Sequence, residues 1–176
     1  HIPATGYKDR DWETCMTMAN SWSYVPNDVY KPANEIIEKL VDIVSKGGNY
    51  LLNIGPSPLG EFDDTAYSRL KEIGAWMKIN GEAIYGTRMY KVFKDGDDTR
   101  FTQSKDGKTK YIFLFNFPKD KIILSKMLFT KKDKLQLLGS KLKIGWIQKE
   151  NTVEIAVPPA ARKAADHVWV IKVSGE

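Results

Sequence analysis

The apolar residues of this chain follow one rhythm up to about residue 86 and another after it. In the first half, Ile36, Ile37, Leu40, Val41, Ile43 and Val44 line one face of residues 32–46, the spacing of an amphipathic helix. The ends of this segment are marked. Pro32 suits a first turn, Glu35 and Glu38 come early, Lys46 comes late, and Gly47 can take the left-handed closing position. Asp63-Asp64 caps a second helix that carries Ala66, Leu70, Ile73, Trp76 and Met77 and ends at Asn80-Gly81. Between the two helices, Tyr50-Leu51-Leu52-Asn53-Ile54 follows a glycine pair and is stopped by Gly55-Pro56. It is too short and too apolar for an exposed helix and predicts a strand buried on both faces, as in a parallel sheet. Residues 12–18 alternate and are rich in β-formers, which predicts another strand. Residues 1–10 form an irregular lead-in, and residues 19–29, with Asn20, Pro26, Asn27 and Asp28, form a loop.

The order is therefore strand, loop, helix, strand, loop, helix: two consecutive βα units, which normally belong to a parallel sheet or barrel. Both loops leave the C-terminal ends of their strands, where such folds place their chemistry. Two strands and two helices neither close a barrel nor cover both faces of a sheet. The missing layers are expected from another segment. The opening His1-Ile2-Pro3, without a methionine, also reads as the interior of a longer polypeptide.

After Gly86 the segments become short and alternate. Strands are predicted at residues 90–94, 99–104, 110–117, 122–124, 135–138, 142–147, 153–157 and 167–173. Asp95-Gly96-Asp97-Asp98 and Lys105-Asp106-Gly107-Lys108 supply turn chemistry. Closely spaced short strands predict an antiparallel β-sandwich. The fold class is thus α/β followed by all-β, with the domain boundary at residues 87–89.

Composition narrows the function classes. At 42% hydrophobic residues the chain is that of a globular protein rather than a mostly disordered one. No apolar run approaches the roughly 20 residues that span a bilayer, so no membrane partner is expected. The net charge is +5, and nine lysines fall between Lys119 and Lys149. The arginines and aromatic ladders of a nucleic-acid surface are missing, and lysines on strands also guard against edge-to-edge pairing. No nucleic-acid partner is expected. One cysteine and two histidines give neither an internal disulfide nor a metal-ligand cluster.

Three residues stand where chemistry is expected. Glu13 lies on the first strand beside Trp12, and a carboxyl group against an indole can be made a weaker acid, able to donate a proton near neutral pH. The alternative is a structural carboxylate at the mouth of the sheet. Trp22 lies in the loop after that strand, where it presents a flat apolar face to a sugar ring or caps the core. Asn53 ends the central strand, where its amide orients a neighbouring group or satisfies the loop backbone. Cys15 reads as a small buried hydrophobe, His167 as structural, and His1 as part of the lead-in. A Ser-His-Asp arrangement or a phosphate-binding glycine loop does not occur.

Four motifs together carry a resemblance: Trp12-Glu13-Thr14-Cys15-Met16-Thr17, Asn20-Ser21-Trp22-Ser23-Tyr24, residues 44–56, and Asn80-Gly81-Glu82-Ala83-Ile84-Tyr85-Gly86. In order and spacing they resemble the C-terminal half of the α-L-fucosidases of glycoside hydrolase family 29; residues 90–176 match in general character. The resemblance implies a catalytic (β/α)8-like barrel, of which residues 1–88 are the C-terminal part, followed by a β-sandwich at residues 89–176. It implies a retaining hydrolase that removes terminal α-L-fucose from glycans with an aspartate nucleophile, a carboxylic acid/base, no metal and no other cofactor. The nucleophile and the fucose-binding histidines lie upstream of His1 in the family. The segment is therefore expected to be inactive alone, with the N-terminal segment of the same enzyme as its partner and a fucosylated glycan as substrate. Homo-oligomerisation is left open. Glu13 matches a position that serves either as acid/base or as a supporting carboxylate. Trp22 matches an aromatic against the apolar face and 6-methyl group of fucose. Ser23 departs from the family's usual glycine. Family members are secreted, periplasmic or lysosomal. A rival reading is a non-catalytic carbohydrate-binding or structural module, working through Trp146 or Trp169.

Overall fold

The structure, a computed structural model, describes residues 1–7 and 9–175; Lys8, in the lead-in, and Glu176, at the end of the second predicted domain, lie outside the described residues. Strand β1 (Glu13–Thr17) pairs in parallel with β2 (Asn49–Asn53), Glu13 opposite Asn49 and Thr17 opposite Asn53. Helix α1 (Ala33–Ser45) connects them and α2 (Asp64–Asn80) follows. The caps form where the sequence places them. Pro32 precedes α1, Gly47 beyond it takes φ +77°, and Asp63 Oδ1 accepts from the Ala66 N–H at 3.2 Å.

Alternation along a strand sends neighbouring side chains to opposite faces. One face of the β1–β2 pair meets the helices. Tyr50, Leu52 and the adjoining Met18 and Ile54 pack with Ile36, Ala66 and Ile73. The other face carries Glu13, Cys15 and Leu51, all exposed, Leu51 at 44%. The expected burial on both faces therefore holds for one face only, because the pair forms a sheet of two strands and, among the described residues, no layer covers Glu13, Cys15 and Leu51 on the other. Cys15, expected to be buried, is exposed for the same reason. Leu70, expected on the inner face of α2, lies at its margin and is 36% exposed.

The remaining strands form two antiparallel sheets. These strands are β3 (Thr87–Asp95), β4 (Thr99–Ser104), β5 (Thr109–Leu114), β6 (Lys121–Leu124), β7 (Lys134–Leu137), β8 (Gly145–Gln148), β9 (Val153–Ala156) and β10 (Trp169–Ser174). One sheet has the order β3-β4-β5-β10-β7 and the other β6-β9-β8. Phe101, Ile112, Leu137 and Ile171 of the first sheet share a core with Leu124, Val153 and Ile155 of the second. The strand predicted at residues 142–147 begins at Gly145, and Lys143 makes an isolated bridge to Gln136. Here the chain crosses from one sheet to the other and cannot keep a continuous ladder. Lys121 and Lys149 flank Glu154 at 2.9 and 2.5 Å, so two of the clustered lysines are spent on a strand-face carboxylate.

The central strands of the five-stranded sheet are buried on both sides. The sheet's outer face, with Tyr111, Phe113 and Val170, packs against Ile37 and Val41 of α1 and Trp76 of α2. The Trp76 indole N–H donates to the Val168 carbonyl at 2.8 Å, a buried bond. Asp42 of α1 adds an ionic clamp. Its Oδ1 accepts from Arg100 Nε on β4 and its Oδ2 from Lys46 Nζ, both at 2.6 Å. The guanidinium also lies 4.8 Å from the Phe115 ring centroid. Burial raises the Asp42 pKa, but the hydrogen bonds from Lys46 and Arg100 outweigh it and leave the carboxyl below its ordinary 3.8.

A carboxyl group whose folded pKa is depressed stabilises the fold fully above its unfolded pKa, and that contribution is lost as pH falls through the folded value. The Arg100→Ala variant, in which Lys46 still pairs with Asp42, should therefore lose about 2 kcal/mol of unfolding free energy at pH 7, the loss of one hydrogen bond to a charged group. The gap to the unaltered chain should narrow as pH falls below the ordinary carboxylate value of 3.8. Urea denaturation at pH 7 and at a series of pH values below 3.8 measures both effects.

Candidate functional site

At the C-terminal ends of β1 and β2 the pairing runs one residue further, the Met18 N–H donating to the Asn53 carbonyl at 2.9 Å. The chain then swings out and returns beside itself. Ala19 bridges Tyr30 in antiparallel fashion, the Asn20 N–H donates to the Val29 carbonyl at 3.1 Å, and the Lys31 N–H to the Met18 carbonyl at 2.9 Å. The reversal is made by Asn27 at φ +60°, the left-handed region that asparagine tolerates better than most residues. Lys31 Nζ closes the base by donating to the carbonyls of Thr17 and Ala19 at 2.8 and 2.9 Å.

Inside this loop Asp28 accepts from the Ser21 N–H (2.9 Å) and the Val29 N–H (2.7 Å). The Ser21 hydrogen bond is the chief cause that holds its carboxyl below the ordinary 3.8. Thr17 Oγ1 donates to the Ser21 carbonyl at 2.9 Å, and Asn53 Nδ2 donates to the Trp22 carbonyl at 2.9 Å. Gly55 lies against the loop from the other strand end: a Cβ there would meet Tyr24 N at 2.5 Å and the Ser23 carbonyl carbon at 2.6 Å. On the outgoing arm of this braced loop Trp22 is 56% exposed.

The residues singled out from the sequence do not all meet. Trp22 and Asn53 are joined by a hydrogen bond, and Asn53 serves the loop backbone, one of its two expected uses. Glu13 is not with them. It begins β1 while the loop leaves the strand after Thr17, four residues or about 13 Å away along an extended chain. Trp12 is not its partner either. The Trp12 indole N–H donates to the Lys46 carbonyl at 3.2 Å and the ring lies on Gly48, where a Cβ would meet it at 2.3 Å. Glu13, next in the chain, is exposed and makes no hydrogen bond or ion pair with another described residue. Ser23, at the usual glycine position, avoids the left-handed region: Asn27 is the sole non-glycine residue there among the described residues. His167 lines a separate cleft of about 500 Å³ with Lys71, Trp76, Asn80 and Lys163, at the far end of α2.

Sequence reasoning did not pick out Thr17, Asp28, Lys31 and Gly55 as parts of the site. Pro26-Asn27-Asp28 marks a turn, which signals that Asp28 can bind backbone N–H groups. Nothing in the chain signals that Gly55 is needed for a contact across two strands.

The α-L-fucosidase family profile matches residues 2–82, and the profile of the α-L-fucosidase C-terminal domain matches residues 95–174. The chain belongs to the α-L-fucosidase family. It is 32% identical over 176 residues to tissue α-L-fucosidase of Homo sapiens, covering 95% of this chain and 38% of that protein. With α-L-fucosidase of Dictyostelium discoideum it shares 34% identity over 167 residues, 93% of this chain and 35% of the relative. Among solved structures, α-L-fucosidase isoenzyme 1 of Paenibacillus thiaminolyticus superposes with a TM-score of 0.87 at 28% identity, over 100% of this chain and 44% of that one. Thermotoga maritima α-fucosidase in complex with fucose gives 0.82 at 27% identity, over 93% and 39%. The chain thus spans less than half the length of these relatives.

The brace makes a prediction of its own. Gly55→Ala should displace the 19–30 loop, because the new methyl group meets backbone rather than a flexible side chain. Chymotryptic cleavage after Trp22 or Tyr24 should be several-fold faster than in the unaltered chain. Gly74→Ala, where nothing lies within 4 Å of the added methyl, should leave that rate unchanged.

Proposed function

We propose that this chain forms the closing βα units of the catalytic (β/α)8-like barrel, residues 1–88, and the C-terminal β-sandwich, residues 89–176, of a retaining α-L-fucosidase. The observation that carries this reading is the two-stranded parallel sheet with one bare face, in a chain of this family that spans 38% of the human relative. Parallel strands are found almost exclusively with both faces covered. A barrel supplied by the N-terminal segment of the same enzyme would place Glu13, Cys15 and Leu51 in its interior and the Trp22 loop at its mouth.

The substrate on this reading is a glycan or glycoconjugate ending in α-L-fucose. Retention requires two carboxyl groups about 5 Å apart, one attacking the anomeric carbon and one protonating the departing oxygen. The nucleophile belongs to the N-terminal segment. Of the two roles open to Glu13, its place at the N-terminal end of β1 supports that of a supporting carboxylate in the barrel wall, since barrel enzymes work at the opposite end. Trp22 supplies the apolar wall for the sugar's hydrophobic face and 6-methyl group.

The module reading has less to stand on. The indole N–H of Trp146 donates to the Asp133 carbonyl and that of Trp169 to the Arg162 carbonyl, and both rings pack with the sandwich core. Neither offers a sugar an open face.

The 176-residue chain alone should not hydrolyse an aryl α-L-fucoside, and co-expression with the N-terminal segment should restore turnover. In the restored enzyme Trp22→Ala should raise KM about tenfold, the value of losing one aromatic contact of ~1.4 kcal/mol. Turnover by the chain alone at the rate of the restored enzyme would contradict the reading.

A further inference from the structure

Three backbone groups of Ser21 and Trp22 are pinned by side chains. The Ser21 N–H is held by Asp28, the Ser21 carbonyl by Thr17, and the Trp22 carbonyl by Asn53, each at 2.9 Å. The Trp22 indole, by contrast, is 56% exposed and makes no ring contact with another described residue. The place from which the ring projects is therefore set by its pinned backbone. Two of the pins come from the sheet, one from each strand. Thr17 and Asn53 are register partners at the last paired position of β1 and β2, and Asn53 Nδ2 also approaches Thr17 Oγ1 at 3.4 Å. The two side chains act as one latch across the strand ends.

We infer that Asn53, with Thr17, is a positioning residue that sets substrate affinity through Trp22 without touching the reacting atoms; this rests on Trp22 being a wall of the fucose pocket. An aromatic wall against a part of the sugar that does not react binds ground state and transition state alike. Loss of its alignment raises KM and leaves kcat in place. The donor is what matters at position 53. Aspartate has the same shape, but its carboxylate cannot donate and would face the Trp22 carbonyl oxygen as a second acceptor.

The test is a double-mutant cycle in the enzyme restored with its N-terminal segment, using an aryl α-L-fucoside. Asn53→Asp should raise KM about fivefold with kcat within twofold, the loss of one hydrogen bond of ~1 kcal/mol. In a Trp22→Ala background the same substitution should change KM less than twofold. A residue that merely supports the fold would act equally in both backgrounds, and that result overturns the inference, as does an unchanged KM or a fall in kcat alone. If Trp22→Ala itself leaves KM unchanged, the pocket-wall reading is what has failed, and the inference falls with it. Thr17→Val, which removes the second pin, gives the same cycle should the aspartate variant fold poorly.

Discussion

Two parallel strands bonded only to each other leave half of their backbone donors and acceptors without strand partners, and in the β1–β2 pair one side-chain face is covered, among the described residues, only at the Thr17–Asn53 end. Backbone polar groups can be left to water, but an apolar face cannot be left so without losing the burial that repays chain ordering. The pair therefore depends on what covers it. On one side that is α1 and α2. On the other side Leu51 and Cys15 stand exposed, and a short two-stranded sheet is marginal at best by itself. The family assignment gives this deficit a natural resolution, since relatives of more than twice the length have the chain to complete the sheet.

The helical layer serves two sheets at once. α1 gives Ile36 to the parallel pair and Ile37 and Val41 to the five-stranded sheet, so neighbouring residues on one helix bind opposite neighbours. The Asp42–Arg100 ion pair and the Trp76 indole bond lock that layer onto β4 and onto the residue leading into β10. Through α1 the five-stranded sheet is thus packed against the β1–β2 pair, whose ends hold the Trp22 loop.

Much of this was legible in the sequence because it rests on local signals. The caps of both helices, the turns after β3 and β4 and the alternation of Val153 and Ile155 are short-range chemistry, and the elements form where those signals fall. What was not legible depends on partners distant in sequence. The period of residues 50–54 says that an apolar strand needs cover, not whether the cover is present, and so Leu51 and Cys15 were expected to be buried. The proximity of Trp12 and Glu13 in the chain suggested an indole beside a carboxylate, but strand alternation sends them apart, and the glycine that receives the indole lies 36 residues on. The Thr17–Asn53 latch joins residues that are likewise 36 apart. Only the parallel register brings them together.

The central claim is that the β1–β2 sheet is incomplete without the rest of a barrel. Amide hydrogen exchange of the 176-residue chain, alone and joined to its N-terminal segment, tests it most directly. The account predicts that amides of Glu13–Thr17 and Asn49–Asn53 exchange far faster than those of Thr109–Leu114 and Trp169–Ser174 in the chain alone, and become comparably protected once the segment is joined. Equal protection of all four strands in the chain alone, unchanged by the segment, would contradict it.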